Sequence, residues 1–103
     1  MDFPLVSIIV PMYNAADCAA RCVESICAQT YKSIEVLLLN DGSTDDTLAV
    51  CARLAEKDHR IALLDKPNTG AAETRNRGIG LAHGKYIQFA DCDDWLAPDF
   101  TEK

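Results

Sequence analysis

The eight residues IEVLLLND, Ile34–Asp41, decide the fold. From Val36 to Leu39 they are apolar without a break, and the period-2 alternation of a half-wet strand is missing. A strand that does not alternate is covered on both faces, which is the situation of a central strand in a parallel sheet. Its far end turns polar at once, through Asn40 and Asp41 into Gly42 and Ser43.

Similar runs lie on either side. Leu5–Tyr13, LVSIIVPMY, reads as a first strand rich in β-branched residues and ended by Pro11. Asn14–Gln29 reads as a helix, with Asn14 and Asp17 spaced as a capping box. Its apolar face carries Cys18, Cys22, Val23, Ile26 and Cys27. Gly42–Asp58 gives a second helix with a cap signal at Ser43 and Asp46. Arg60–Lys66 is a third strand, and Pro67–Gly70 is a turn. Ala71–Gly84 is a third helix, weakened by Gly78 and Gly80 and closed by Gly84. Lys85–Asp91 is a fourth strand. The order βαβαβαβ, with right-handed crossovers, predicts an α/β class, Rossmann-like three-layer α/β/α domain with a mainly parallel sheet.

Composition excludes several function classes. The chain has 103 residues, enough for one domain or part of one, and 49% of them are hydrophobic. A formal net charge of -6 argues against nucleic acid or an anionic membrane surface as a direct partner. No run of about 18 apolar residues is present, so no transmembrane helix is expected. The N-terminus lacks the basic region of a signal peptide. Five cysteines with no CxxC spacing, and only two histidines, argue for free thiols rather than a zinc site. The expected location is cytoplasmic, with association of the full-length protein with the inner face of the membrane as the further expectation.

In open α/β sheets, ligands sit beyond the carboxyl ends of the strands. Four such ends carry polar residues here: Tyr13 and Asn14, Asn40 and Asp41, Asp65 and Lys66, Asp91 to Asp94. Asp41 can shape the turn before the second helix, or accept a ring N–H from a base. Tyr13 can cover the sheet edge, or offer a flat face to a planar base. Pro11 removes a backbone donor and implies a bend where the strand leaves the sheet. Arg75 can form a surface ion pair with Glu73, or neutralise a diphosphate. In FADCDDW, Phe89–Trp95, Asp91 and Asp93 alternate along an extended segment. Oxygen ligands at that spacing suit Mn²⁺ or Mg²⁺, while the alternative is a solvated acidic loop. GIGLAHG, Gly78–Gly84, has the wrong spacing and placement for a dinucleotide loop.

VSIIVPMYN, VLLLNDGSTDDT and NTGAAETRNRGIGLAHGKYIQFADCDDW together resemble the N-terminal, donor-binding half of the family-2 inverting glycosyltransferases with the GT-A fold. The resemblance covers nearly the whole chain. It implies a hexosyltransferase-type enzyme that uses a nucleotide-sugar, most often a UDP-sugar, with Mn²⁺ or Mg²⁺. It implies that Pro11 and Tyr13 pack on the nucleobase, that Asp41 binds the uracil ring and that Arg75 lies near the nucleotide. Asp91 and Asp93 match the Asp-x-Asp motif, with Asp93 on the metal and Asp91 on the ribose or sugar. The implied acceptor is a saccharide or lipid-linked hydroxyl. The family's general base is expected beyond Lys103, so residues 1–103 are expected to form a domain truncated at its C-terminus and inactive alone. Association into a homo-oligomer through surface exposed by truncation is expected too. The alternative is a non-catalytic interaction or assembly fragment that retains the fold.

Overall fold

The computed structural model describes residues 4–28 and 33–90. In chain order these form β1 (Val6–Met12), α1 (Ala19–Cys27), β2 (Ile34–Asp41), α2 (Thr47–Lys57), β3 (Ile61–Lys66), α3 (Ala71–Leu81) and β4 (Tyr86–Phe89). The strands make one sheet in the order β3-β2-β1-β4, and every neighbouring pair is parallel.

Two apolar clusters define three layers. On one face Val6, Ile8, Val10 and Met12 of β1 and Ile34, Val36 and Leu38 of β2 pack on Ala19, Cys22, Val23 and Ile26 of α1 and Cys51 and Leu54 of α2. On the other face Ile9, Leu37 and Leu39 form a smaller cluster with Leu64 and Ala82. There α3 comes so close that a Cβ on Gly78 would lie 2.6 Å from Ile9 Cγ2. The unbroken apolar run of β2 is thus explained by cover on both sides. Gly78 owes its place to this helix-on-sheet contact.

Several expectations need correction. β1 does not stop at Pro11 but runs through it, in register with Leu39 of β2, to Met12. The Ile9 carbonyl accepts from the Ala90 amide, so odd-numbered groups of β1 face β4. Pro11 falls beyond the last β4 pair, Ile9 with Phe89, where its missing N–H breaks no ladder bond. Neither capping box forms: α1 starts at Ala19 and α2 at Thr47, both without a side-chain cap bond. The third helix ends at Leu81, before Gly84.

Gly84 has a different task. Its amide donates 2.8 Å to Ser7 Oγ, and Ser7 Oγ donates to Glu35 Oε2. Burial pushes the Glu35 carboxyl up, but the bonds from Ser7 and His83 outweigh it and hold it below the ordinary range. A Cβ on Gly84 would lie 2.6 Å from the Ser7 amide nitrogen and 2.8 Å from the Leu5 carbonyl oxygen. Backbone atoms of a paired strand cannot yield, so Gly84→Ala is expected to cost about 1–3 kcal/mol of stability. Urea unfolding followed by circular dichroism measures this; a variant as stable as wild type would contradict the close approach.

Candidate functional site

The sheet order reverses between β1 and β4, and the crevice belongs at the carboxyl ends beside that point. A pocket of about 290 Å³ lies at these carboxyl ends, among the strand ends and the loop after β3. Pro11, Met12 and Tyr13 line it from the end of β1, and Asp41 from the end of β2. Asn68 and Gly70 come from the loop after β3, and Arg75 from α3. Four residues singled out by sequence, Pro11, Tyr13, Asp41 and Arg75, therefore meet in one place. Asp91 and Asp93, the expected metal ligands, lie outside the described residues, as do Cys92 and Asp94.

The Tyr13 ring is 54% exposed at the pocket wall, as a stacking platform requires. The segment carrying it is tied to the loop after β2. The Asn14 amide donates 2.9 Å to Ser43 Oγ, and Asn14 Oδ1 accepts 2.8 Å from the Thr44 amide. The Ala15 amide donates 2.7 Å to Thr47 Oγ1, and the Ala16 amide 3.3 Å to Asp45 Oδ2. Asn14 takes a left-handed backbone, φ 50°, which asparagine tolerates. Ser43 in turn donates to Asn40, whose Nδ2 donates 2.9 Å to Asp65 Oδ1 directly opposite on β3.

Asp41 is 4% exposed and stands opposite Lys66 in the β2–β3 register. Lys66 Nζ donates to Asp41 Oδ1 at 2.6 Å, with both side chains almost wholly buried. The same nitrogen reaches the Pro67 carbonyl at 2.8 Å, Thr69 Oγ1 at 2.5 Å and Thr74 Oγ1 at 3.2 Å. The Thr69 amide donates 2.8 Å to Asp41 Oδ1, and the Gly70 amide 3.1 Å to Asp41 Oδ2. Burial pushes the Asp41 carboxyl up, but the Lys66 ammonium and these two amides prevail and hold it below the ordinary range. Asp41 is therefore an ionised acceptor at neutral pH. It does shape a turn, though the turn is 67–70 after β3 rather than the one before α2.

Sequence reading named Lys66 only as a strand end and gave Asn68 and Gly70 no role. The available signal was a lysine closing an apolar strand one crossover from Asp41. Its pairing depends on strand register, which spacing does not reveal. Among the described residues, no group of three or more His, Cys, Asp or Glu side chains is placed to hold a metal. Asp91 and Asp93 carry oxygen donors, the ligand type that hard divalent cations take. No helix among the described residues is long and apolar enough to cross a membrane.

Comparison with known proteins gives one answer. The model for "Glycosyl transferase family 2" matches residues 7–103. Glycosyltransferase GlyA of Streptococcus pneumoniae is 41% identical over 97 residues, which is 94% of this chain and 14% of that protein. Among solved structures, the mannosyltransferase PcManGT of Pyrobaculum calidifontis, in complex with GDP-Man and Mn²⁺, superposes with a TM-score of 0.80 at 31% identity. That match covers 90% of this chain and 28% of the other. TarS of S. aureus, in complex with UDP-GlcNAc, gives a TM-score of 0.85 at 27% identity, covering 94% of this chain and 29% of that one. The chain therefore spans well under a third of each of these proteins.

Proposed function

This chain belongs to glycosyl transferase family 2, and from that premise we infer that it binds the nucleotide-sugar donor, a UDP-sugar, for transfer to an acceptor hydroxyl with inversion. The observation that carries this reading is a pocket that Tyr13, Asp41 and Arg75 line together. Its parts match the parts of the donor. The exposed Tyr13 ring stacks on the base, with Pro11 beside it. Asp41 accepts a ring N–H, and the Arg75 guanidinium faces the negative diphosphate.

Asp93, with Asp91 beside it in sequence, holds Mn²⁺ or Mg²⁺ in this proposal, and Asp91 also meets the ribose or sugar. The amide of Ala90, which precedes them, donates to the Ile9 carbonyl on β1, the strand whose end lines the pocket. A divalent cation supplies charge stabilisation to the diphosphate as leaving group. In the inverting reaction the acceptor oxygen attacks the anomeric carbon, the bond from that carbon to the diphosphate breaks, and a general base takes the hydroxyl proton. The acceptor is a saccharide or lipid-linked hydroxyl. Tyr86, Ile87 and Phe89 stand exposed on the edge strand β4 and support association with further polypeptide, a second copy included.

Calorimetric titration of UDP into the chain, with and without Mn²⁺, tests the reading. Metal-dependent binding is expected. Tyr13→Ala is expected to weaken it by about 1–3 kcal/mol, the usual worth of a base stacked on an aromatic ring. The absence of binding at millimolar UDP with Mn²⁺ would overturn the proposal.

A further inference from the structure

The two nucleotide-sugars bound by the structural relatives differ in their base, one guanine and one uracil. The surroundings of Asp41 bear on which of these bases this pocket takes. A carboxylate offers about four acceptor positions, two on each oxygen. Around Asp41, Lys66 Nζ and the Thr69 amide fill both positions of Oδ1. The Gly70 amide fills one position of Oδ2. Among the described residues one position is left, and it is on Oδ2. Gly70, whose amide meets that oxygen, lines the pocket together with Asp41.

We propose that Lys66 is a specificity-determining residue: by occupying Asp41 Oδ1, it leaves this carboxylate a single open acceptor and so selects uracil over guanine. The inference rests on the nucleotide reading given above and goes one step further. Uracil presents one ring N–H, at N3, between two carbonyl oxygens. One acceptor satisfies it. Guanine presents two adjacent donors, the N1–H and the exocyclic amine, and pairs with a carboxylate through both oxygens at once. With Oδ1 filled, Asp41 can pair only one of those donors unless Lys66 is displaced. Cytosine and adenine turn a bare ring nitrogen to the same place, and two acceptors facing each other repel.

Lys66 does not touch the base in this arrangement. It acts through Asp41 and is a positioning residue. It holds its post firmly, because its other contacts, to Pro67, Thr69 and Thr74, tie it to the turn and to the first part of α3. Its side chain is 5% exposed, so a ligand cannot draw it aside into water.

The test compares UDP and GDP, which share the diphosphate, by calorimetry on the 103-residue chain with Mn²⁺. UDP is expected to bind at least about tenfold tighter, the cost of leaving one buried donor unpaired. The diphosphate of N3-methyluridine, which lacks the single donor, is expected to lose that advantage. In Lys66→Met the Oδ1 position is freed, and the ratio of UDP to GDP affinity is expected to shrink several-fold. A purely structural lysine would instead weaken both nucleotides together and leave the ratio unchanged, and that result overturns the proposal. Equal or tighter GDP binding by wild type overturns it as well, and does so even if the methionine variant does not fold. If neither nucleotide binds, the nucleotide site itself is refuted. Failure of the specificity alone shows as binding without preference.

Discussion

Lys66→Met is expected to lower the unfolding free energy by about 3–5 kcal/mol, the usual loss when one member of a buried ion pair is removed. The pair is closed on both sides, with side-chain exposures of 5% and 6%. Methionine fills much of the same space, so the loss comes from charge and hydrogen bonding and not from a void. Asp41 would keep the Thr69 and Gly70 amides but lose the cation that offsets its burial. Thr69 Oγ1 and the Pro67 carbonyl would lose their shared donor. A domain of this size has about 5–15 kcal/mol in total, so the change takes a large share of it. Urea unfolding at neutral pH measures the effect; a loss below about 1 kcal/mol would mean that the pair does not form.

The acid limb of the stability curve gives an independent reading. Asp41 has a lowered pKa in the folded chain, so its contribution is complete above the ordinary aspartate value. It is lost as pH falls through that value and then through the lowered one. In Lys66→Met the lowering is smaller and the corresponding acid-side slope should flatten. Asp41→Asn combined with Lys66→Met should cost less than the sum of the two single changes, because the first removal already breaks the pair.

Gly42→Ala is the second large effect, with an expected loss of about 2–4 kcal/mol and of at least about tenfold in UDP affinity. Gly42 has φ 67°, a left-handed backbone that costs a residue with a Cβ about 1–2 kcal/mol. The new Cβ would also lie 2.6 Å from the Asn68 amide nitrogen and 3.1 Å from its Cα. Relief requires moving the turn at 67–70. That turn supplies the Thr69 and Gly70 amides to Asp41, and Asn68 Nδ2 donates 2.9 Å to the Asp41 carbonyl. Gly70→Ala is a companion change in the same site. Gly70 has φ 99°, but a Cβ there would meet nothing within 4 Å. It should show the backbone strain without the collision. A loss for Gly42→Ala no larger than the about 1–2 kcal/mol of left-handed backbone strain would mean that contact with Asn68 does not matter.

Strands were readable where burial is two-sided or local. Ile34–Asp41 was marked by its apolar run, and β2 has those bounds because both faces are packed. Helix starts were misread for a reason that spacing cannot contain. Asn14 and Ser43 look like caps, yet their side chains bond to residues 30 and 3 positions away instead. The end of α3 was placed too late because Gly84 reads as a stop, whereas it is required by the backbone at Leu5 and Ser7. At the site, the exposed and charged residues were legible by type and place, since parallel strands deliver their ends to one edge. The buried cation was not. A lysine gains a role inside a protein only through its register with an acid, and register belongs to the folded sheet.

The bonds from Asn14, Ala15 and Ala16 to Ser43, Thr44, Asp45 and Thr47 have a consequence for how this protein can change. They fuse two loops into one rigid gauge, so the spacing between the Tyr13 plane and the Asp41 edge is fixed by construction. Insertions or deletions in either loop alone would throw off that calibration. Drift in length is left to other parts of the molecule, which can change without disturbing the distance between these two side chains.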